Sequence, residues 1–320
     1  MSGLFHVSSS PHVRAKDSTS NIMLWVVISM LPMLVFGTYN FGLRALLLVV
    51  VTVISCVATE FVFNLITKRK NTIGDFSAVV TGMILGLNMP VSLPIWEAVL
   101  GGVFAIAIVK MLFGGLGQNF MNPALAARCF LLIAFAADMT NFNCDAYTGA
   151  TPLALIRQNG GIIPDGLNIM DMLTGRTAGT IGETSVIAIL IGAIILVLAG
   201  IINLRIPAAY IITFGILMFV FGPSKYDATY VVAQLCGGGL MFGAFFMATD
   251  YVTSPITPKG QIVFGICCGV LTALFRLIGA NAEGVSFAII LSNLLVPLIE
   301  KVTVPNAFGV KKLKVKKEGN

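Results

Sequence analysis

Charged residues and histidines are scarce in this chain of 320 residues, and each scarcity excludes a class of function. Charged residues make up 11% of the sequence, against roughly 25% in soluble domains, whereas hydrophobic residues make up 57%. A soluble globular protein is therefore excluded, and the length leaves room for about ten membrane-spanning helices. The two histidines, His6 and His12, both precede the first apolar segment, which excludes a haem held within the membrane by paired histidines.

Several familiar cofactor motifs are also missing. The six cysteines include no Cys-x-x-Cys pair, so we expect neither an iron–sulfur cluster owned by this chain alone nor a disulfide framework, and no metal site is predicted. The sequence has no P-loop and no G-x-G-x-x-G following a strand, so NAD or ATP is not bound by those devices. The net charge of +6 does not indicate nucleic-acid binding, because the basic residues gather at the ends of apolar segments.

The hydropathy pattern predicts an all-α integral membrane protein with about ten spans. The predicted spans are 21–38, 41–67, 77–89, 95–113, 123–137, 185–203, 206–221, 229–248, 261–277 and 285–299. Basic residues cluster before the first span, at Lys68-Arg69-Lys70 and in the tail 301–320, which predicts a cytoplasmic position for both termini. The chain then divides into a first membrane half (1–137), an extracytoplasmic loop (138–184), a second membrane half (185–300) and a cytoplasmic tail.

An internal echo relates the two membrane halves. Three residues recur 164 positions later, Pro94, Gly101 and Gly115 as Pro258, Gly265 and Gly279. An odd number of spans in each half makes such repeats inverted relative to each other, so we predict two inverted five-helix repeats; chance similarity between Gly-rich helices is the alternative. The glycine-rich spans 77–89 and 229–248 take matching places, and interrupted helices of this kind tend to line a site.

A few charged side chains fall within or near the predicted spans, where charge is costly and usually functional. They are Arg44, Glu60, Lys110, Arg128, Asp250, Arg276 and Glu300. Arg44, Glu60 and Lys110 are expected to reach the membrane interface. Asp250, beside several hydroxyl residues, either binds a cation or a flavin ribityl chain or is a plain helix cap. Arg128 could pair with a phosphate or a carboxylate.

The polar interval between the halves contains Asp145-Ala146-Tyr147-Thr148-Gly149-Ala150-Thr151-Pro152. Thr151 followed by Pro152 and apolar residues predicts an N-cap and a short helix. A second interpretation is that the Thr151 hydroxyl carries a large anionic group, since a phosphate is favoured at a helix N-terminus. The two interpretations are compatible.

These motifs resemble the family of the D subunit of the Rnf complex, the ion-translocating ferredoxin:NAD oxidoreductase. The similarity extends along almost the whole chain, through Ser10-Pro11-His12, Phe113-Gly114-Gly115-Leu116-Gly117-Gln118-Asn119, Asn122-Pro123-Ala124-Leu125, Thr148-Gly149-Ala150-Thr151, Phe246-Met247-Ala248-Thr249-Asp250 and Glu283-Gly284. More distantly, the chain is similar to the B subunit of the sodium-pumping NADH:quinone reductase. A non-redox solute permease on the same kind of scaffold is a further alternative.

The resemblance implies a flavoprotein in a bacterial cytoplasmic membrane. Thr151 matches the threonine that carries FMN through a phosphoester bond, and Asp145, Thr148, Gly149 and Ala150 match the rest of that motif. A flavin transferase would install the FMN, for which we expect Thr151 to lie in an exposed turn. The resemblance further implies a urea-transporter-like scaffold, a non-covalent riboflavin at an unmapped position, and the partner subunits A, B, C, E and G, one of them also bearing FMN. Whether Na⁺ or H⁺ is translocated cannot be read from the sequence.

Overall fold

The computed structural model describes residues 18–142, 150–164, 166–279 and 284–305, and within these ranges all regular structure is helical. The α-helices are α1 (Thr19–Phe41), α2 (Leu43–Ile66), α3 (Ser77–Leu87), α4 (Ile95–Val103), α5 (Pro123–Ala134), α6 (Ala136–Met139), α7 (Pro152–Gln158), α8 (Ile169–Thr174), α9 (Val186–Leu198), α10 (Arg205–Phe221), α11 (Ala228–Cys236), α12 (Leu240–Phe242), α13 (Pro258–Ile278) and α14 (Val285–Thr303). A 3₁₀ turn (Ile73–Asp75) precedes α3, and π-helices continue α4 (Phe104–Met111) and α12 (Gly243–Met247).

Helix occupies every apolar segment that was predicted to span. Within the described ranges, four helices (α1, α2, α13 and α14) are long and apolar enough to cross a membrane. Helix α11 and the helix formed by α12 with its π-helical continuation make a fifth candidate, bent by 65°. The chain is thus a helical protein with four to five membrane-length apolar elements. The basic N-terminal segment and most of the tail lie outside the described residues.

The helices start where the sequence supplies caps. The Asn122 side chain accepts hydrogen bonds from the amides of Ala124 and Leu125 at the start of α5, and Pro123 occupies the first helical position. Thr257 caps α13 in the same manner, ahead of Pro258. These caps satisfy amides that no carbonyl within the helix can reach.

Glycines allow the closest helix contacts. A Cβ at Gly82 would lie 2.7 Å from the Cα of Val53, which brings α3 against α2. A Cβ at Gly265 would lie 2.8 Å from the carbonyl oxygen of Ile206, which brings α13 against α10. Small residues at such positions let helix backbones approach closely where apolar helix faces offer no strong driving force of their own.

Two helix pairs join the halves. Helix α9 crosses α1 so closely that a Cβ at Gly192 would lie 2.2 Å from the carbonyl oxygen of Ser29. Helix α14 contacts α5, where the Arg128 guanidinium donates to Ser286 Oγ at 2.9 Å. The first half therefore packs on the second through both its first and its last long helix.

Two helices end inside the bundle. Beyond α3, the carbonyls of Leu87 and Met89 accept hydrogen bonds from the amides of Gly182 (2.8 Å) and Ile181 (3.1 Å). Beyond α11, the Arg276 guanidinium donates to the carbonyls of Gln234, Gly237 (3.0 Å) and Gly238 (3.2 Å). Helix ends at membrane depth need such partners, because water is not there to satisfy the free carbonyls.

Candidate functional site

Thr151 is the N-cap of α7, as its sequence context predicted. Its Oγ1 accepts a hydrogen bond from the Ala154 amide at 3.4 Å, and its carbonyl accepts one from the Leu155 amide at 3.0 Å. Pro152 opens the helix, which has seven residues. Because α7 is so short, the helix dipole contributes little to holding an anion here.

The expected exposure of Thr151 is wrong. The residue is only 7% exposed, because its helix lies over the break that follows α11. Leu153 fits closely against that break, where a Cβ at Gly237 would lie 2.9 Å from the Leu153 side chain. Ala150 is half-buried, whereas Asp145, Thr148 and Gly149 of the same motif lie outside the described residues.

A small cleft lies beside Thr151, partly open to the surface and about 20 Å³ in volume. We call it the Thr151 cleft. The residues that line it are Thr151, Pro152, Met172, Thr177, Ala178, Gly179, Glu183, Thr184, Cys236, Gly237 and Gly238. The loop 177–184 and the break after α11 thus meet at the threonine. The volume suits a water molecule or an ion and cannot hold a flavin ring.

Sequence reasoning missed the acidic group in this cleft. Glu183 is 6% exposed, and its Oε1 accepts a hydrogen bond from the Thr180 amide at 3.4 Å. Its Oε2 has no hydrogen-bond partner among the residues that the structure describes, nor does Thr184 Oγ1. The one available signal was an acidic residue within a glycine- and threonine-rich stretch directly before an apolar helix.

A second cavity, the central cavity, lies between the two halves and has a volume of about 90 Å³. Most of its lining is apolar, from α1, α3, α9 and the π-helix after α12. The polar residues that line it are Ser77, Thr81, Lys110, Asn119, Asn122, Thr249 and Asp250. Both interrupted spans thus border this cavity, the first through α3 and the second through Phe246 of the π-helix after α12.

A buried ion pair lies at the wall of the central cavity. Lys110 is 2% exposed and Glu60 is fully buried, and their Nζ and Oε2 atoms are 2.6 Å apart. The Lys110 ammonium also donates to Ser77 Oγ at 2.6 Å, and the hydroxyl of Thr72 donates to Glu60 Oε1. The expectation that Lys110 and Glu60 reach the membrane interface is therefore wrong. Lys110 points inward because it lies on the π-helix, whose wider turn shifts the side chains that follow relative to an α-helix.

Asp250 lines the central cavity and also caps the turn after the π-helix. Its Oδ2 accepts from the Thr253 hydroxyl at 3.1 Å and its Oδ1 from the Val252 amide at 3.4 Å. Burial raises the pKa of the Asp250 carboxyl, and these two hydrogen bonds oppose that shift. Both interpretations of Asp250, a ligand and a cap, therefore stay compatible with its position.

Arg128 lies in neither the Thr151 cleft nor the central cavity. It donates to Asn88 Oδ1 at 3.1 Å as well as to Ser286, so its side chain links α5 to the end of α3 and to α14. Its predicted pairing with a phosphate or a carboxylate stays a prediction. Arg44, in contrast, is exposed as expected and donates to the Ser92 carbonyl at 3.2 Å.

The Thr151 cleft and the central cavity lie at opposite ends of the same helices. Helix α9 begins next to the cleft and reaches the cavity at Leu196, and α3 begins at the cavity with Ser77 and ends at the loop that carries Glu183. At 1.5 Å per residue, α3 and α9 separate the two sites by roughly 15–20 Å. The structure does not bring Asp250 to Thr151.

Comparison with known proteins identifies the family. Residues 6–309 match the model of the NQR2, RnfD, RnfE family. The chain belongs to this family. It is 49% identical over 313 residues to the D subunit of the Na(+)-translocating ferredoxin:NAD(+) oxidoreductase complex of Acetobacterium woodii, with 96% of each chain covered. It is 40% identical over 322 residues to the D subunit of the proton-translocating complex of Clostridium ljungdahlii, with 97% of each chain covered.

An archaeal relative extends the comparison beyond bacteria. The D subunit of the ion-translocating oxidoreductase complex of Methanosarcina acetivorans is 35% identical over 306 residues, covering 95% of this chain and 97% of the relative. The names of the relatives in A. woodii and C. ljungdahlii give Na⁺ in one case and the proton in the other. These two relatives, both matched over nearly their full length, are thus named for different ions.

Proposed function

We propose that this chain is the membrane-embedded D subunit of an Rnf-type complex, which couples electron transfer between ferredoxin and NAD to the translocation of Na⁺ or H⁺. The observation that carries the proposal is the 49% identity, over 96% of both chains, to a protein of that name. The apolar helices support a position in a membrane, and the membrane we propose is the bacterial cytoplasmic membrane. It acts as a redox component within the complex and has no activity of its own.

Within this function, Thr151 holds FMN through a phosphoester bond. The support comes from the position of Thr151: within the part of the chain that the structure describes, its hydroxyl accepts one long hydrogen bond, and the residue lines a cleft that is partly open to the surface. When bound, FMN supplies one- and two-electron redox chemistry. Because the Thr151 cleft has room for one small ion only, the phosphate on Thr151 would lie at its mouth and the ring outside it, where a redox partner can reach the ring.

The burial of Thr151 constrains how the flavin is attached. A transferase must reach the hydroxyl of a residue that is only 7% exposed, so the cleft has to widen during the reaction. Residues 143–149, which include Asp145, Thr148 and Gly149, adjoin the threonine in the chain and form the rest of the motif for the transferase.

We further propose ten spans in two inverted repeats on a urea-transporter-like scaffold. Helices α1 and α9, the first of each half, pack together, as do α5 and α14, the last of each half, which is the arrangement a pseudo-two-fold axis generates. Interrupted helices occupy the third place in both halves. With Lys68-Arg69-Lys70 on the cytoplasmic side, Thr151 faces the extracytoplasmic side.

Riboflavin and the other subunits complete the proposal. The central cavity, at about 90 Å³, is too small for an isoalloxazine ring as it stands, so its lining does not assign the riboflavin site. The exposed apolar faces of the long helices contact lipid and the subunits A, B, C, E and G, of which one carries a second FMN.

The test is the mass of the peptide that contains Thr151, after co-expression with a flavin transferase. It should exceed its sequence mass by one FMN less one water, and the denatured band should fluoresce under ultraviolet light. Thr151→Ala should abolish both signals, and Thr140→Ala is the matched control, because Thr140 is an exposed threonine outside the motif. An unmodified wild-type peptide would eliminate the tethered flavin and favour a plain solute permease. Quinone reduction by the purified complex, without NAD⁺ reduction, would instead assign it to the sodium-pumping NADH:quinone reductases.

A further inference from the structure

The Thr151 cleft contains a carboxylate with an oxygen that nothing in the described structure satisfies. Glu183 is more than nine-tenths buried, and its Oε2 has no hydrogen-bond partner among the described residues. Thr184 lines the same cleft and is equally buried, and its Oγ1 also has no hydrogen-bond partner among the described residues. Buried polar groups are nearly always satisfied, so two such oxygens on neighbouring residues that line one small cleft indicate a missing ligand.

Two glycines shape the space around this carboxylate. A Cβ at Gly239 would lie 2.7 Å from Glu183 Oε2, and a Cβ at Gly179 would lie 3.3 Å from Glu183 Oε1. Gly239 has φ +65°, a conformation that side chains rarely adopt. The backbone on both sides therefore leaves room at the carboxylate oxygens that any larger residue would fill.

Charge makes the missing ligand a cation. A phosphoester on Thr151 would bring a second negative charge to the edge of a cleft of about 20 Å³ that is already lined by the Glu183 carboxylate. Like charges this close are unfavourable where water is largely excluded. The Arg276 guanidinium lines a different cavity and donates to the carbonyls of Gly237 and Gly238.

We propose that Glu183 and Thr184 form a divalent-cation site that bridges to the flavin phosphate on Thr151. The inference rests on the proposed flavin attachment. Carboxylate, hydroxyl and phosphate oxygens are the hard ligands that Mg²⁺ takes, commonly as one or two carboxylates together with phosphate oxygens and water. A dication also balances the two negative charges of carboxylate and phosphoester, and the cleft has room for one ion.

The experiment uses the flavinylated full chain in a detergent without phosphorus, with Mn²⁺ as a paramagnetic probe. We expect low concentrations of Mn²⁺ to broaden the ³¹P resonance of the flavin phosphoester, and Mg²⁺ to reverse the broadening by competition. Glu183→Gln should raise the Mn²⁺ concentration needed by about 10–100-fold or more, the scale of effect seen when metal sites lose a supporting group. Glu97→Gln is the matched control, because Glu97 is equally buried and does not line the cleft.

The outcomes separate this inference from the flavin assignment. If mass spectrometry finds no FMN on Thr151, the proposed function fails first. If FMN is present and its ³¹P resonance broadens equally in wild type and Glu183→Gln, the cation site is refuted and the flavin assignment stands. If Glu183→Gln does not fold, Thr184→Val serves instead, and in the wild type the absence of Mg²⁺ competition would by itself overturn the site.

Discussion

The buried Lys110–Glu60 pair gives the sharpest prediction about stability. Lys110→Met removes the ammonium and keeps much of the aliphatic volume, which leaves the Glu60 carboxylate without its ion-pair partner. Removing one partner of a buried ion pair destabilises a protein by roughly 3–5 kcal/mol, mostly because the remaining charge is stranded. The Thr72 hydroxyl still donates to Glu60 Oε1, so we expect about 3 kcal/mol, the lower end of that range.

That free energy corresponds to a roughly 140-fold larger open population, since 1.4 kcal/mol is a factor of ten. The double variant Glu60→Gln/Lys110→Met has no charge left to strand, because the introduced amide is neutral and its oxygen can still accept from Thr72. It should recover most of the loss and lie within about 1 kcal/mol of wild type. We thus expect strong energetic coupling between Glu60 and Lys110, with the double variant more stable than Lys110→Met alone.

The Cys56 thiol reports this opening directly. It is fully buried, on the same helix as Glu60, with its Sγ 3.8 Å from the Gly102 carbonyl oxygen. Its rate of labelling by a thiol reagent, resolved by peptide mass, should rise by about two orders of magnitude in Lys110→Met and return towards wild type in the double variant. Cys268 is fully buried in the second half, so its labelling rate should rise only if the whole protein unfolds and not if the opening is local to Cys56. A double variant that labels as fast as Lys110→Met would refute the argument, because the charge would then not be the cause.

Three further substitutions test other parts of the fold. Gly239→Ala places a Cβ at φ +65° and 2.7 Å from a buried carboxylate oxygen, and should destabilise by at least about 1–2 kcal/mol in thermal unfolding; Gly215→Ala, whose Cβ would meet one side chain at 3.8 Å, should not destabilise. In Arg276→Lys, the lysine cannot replace a planar guanidinium that donates to several carbonyls at once. Thiol labelling of the adjacent Cys236 should therefore accelerate. An unchanged labelling rate would show that the break after α11 is stable without the guanidinium. Asp250→Asn keeps one acceptor oxygen for the Val252 amide, and its Nδ2 can donate to the Thr253 hydroxyl instead of accepting from it. It should leave thermal stability within about 0.5 kcal/mol; a larger loss would mean that the charge itself holds the turn.

Local patterns explain what the sequence predicted well. The apolar segments are helical at the predicted places, because long runs of apolar residues in a membrane have no other way to satisfy their backbone. Thr151 caps α7 because a hydroxyl before a proline is a strong local signal for a helix start. The interruption near Gly237 was also foreseeable as a glycine-rich stretch, although its 65° bend was not.

Tertiary packing decided what the sequence could not show. Lys110 was expected at the interface, yet a π-helical turn and the facing Glu60 carboxylate hold it inside. Thr151 was expected in an exposed turn, yet it is buried where α7, through Leu153, packs against the break after α11. Both errors have one physical origin, since burial depends on which segment lies opposite in space, and hydropathy along the chain carries no such information.

Thr151 lies next to the ends of the two interrupted helices, α3 and α11. A helix that stops inside a membrane leaves carbonyls that need donors, and here the donors are loop amides at Ile181–Gly182 for α3 and the Arg276 guanidinium for α11. Both arrangements border the same cleft. In the proposed function, a change of charge on a flavin at Thr151 would act next to both helix ends, and α3 continues from there to Ser77, which binds Lys110 at the central cavity. Helix α3 thus forms a continuous, hydrogen-bonded connection between the site of the proposed flavin and the buried ion pair.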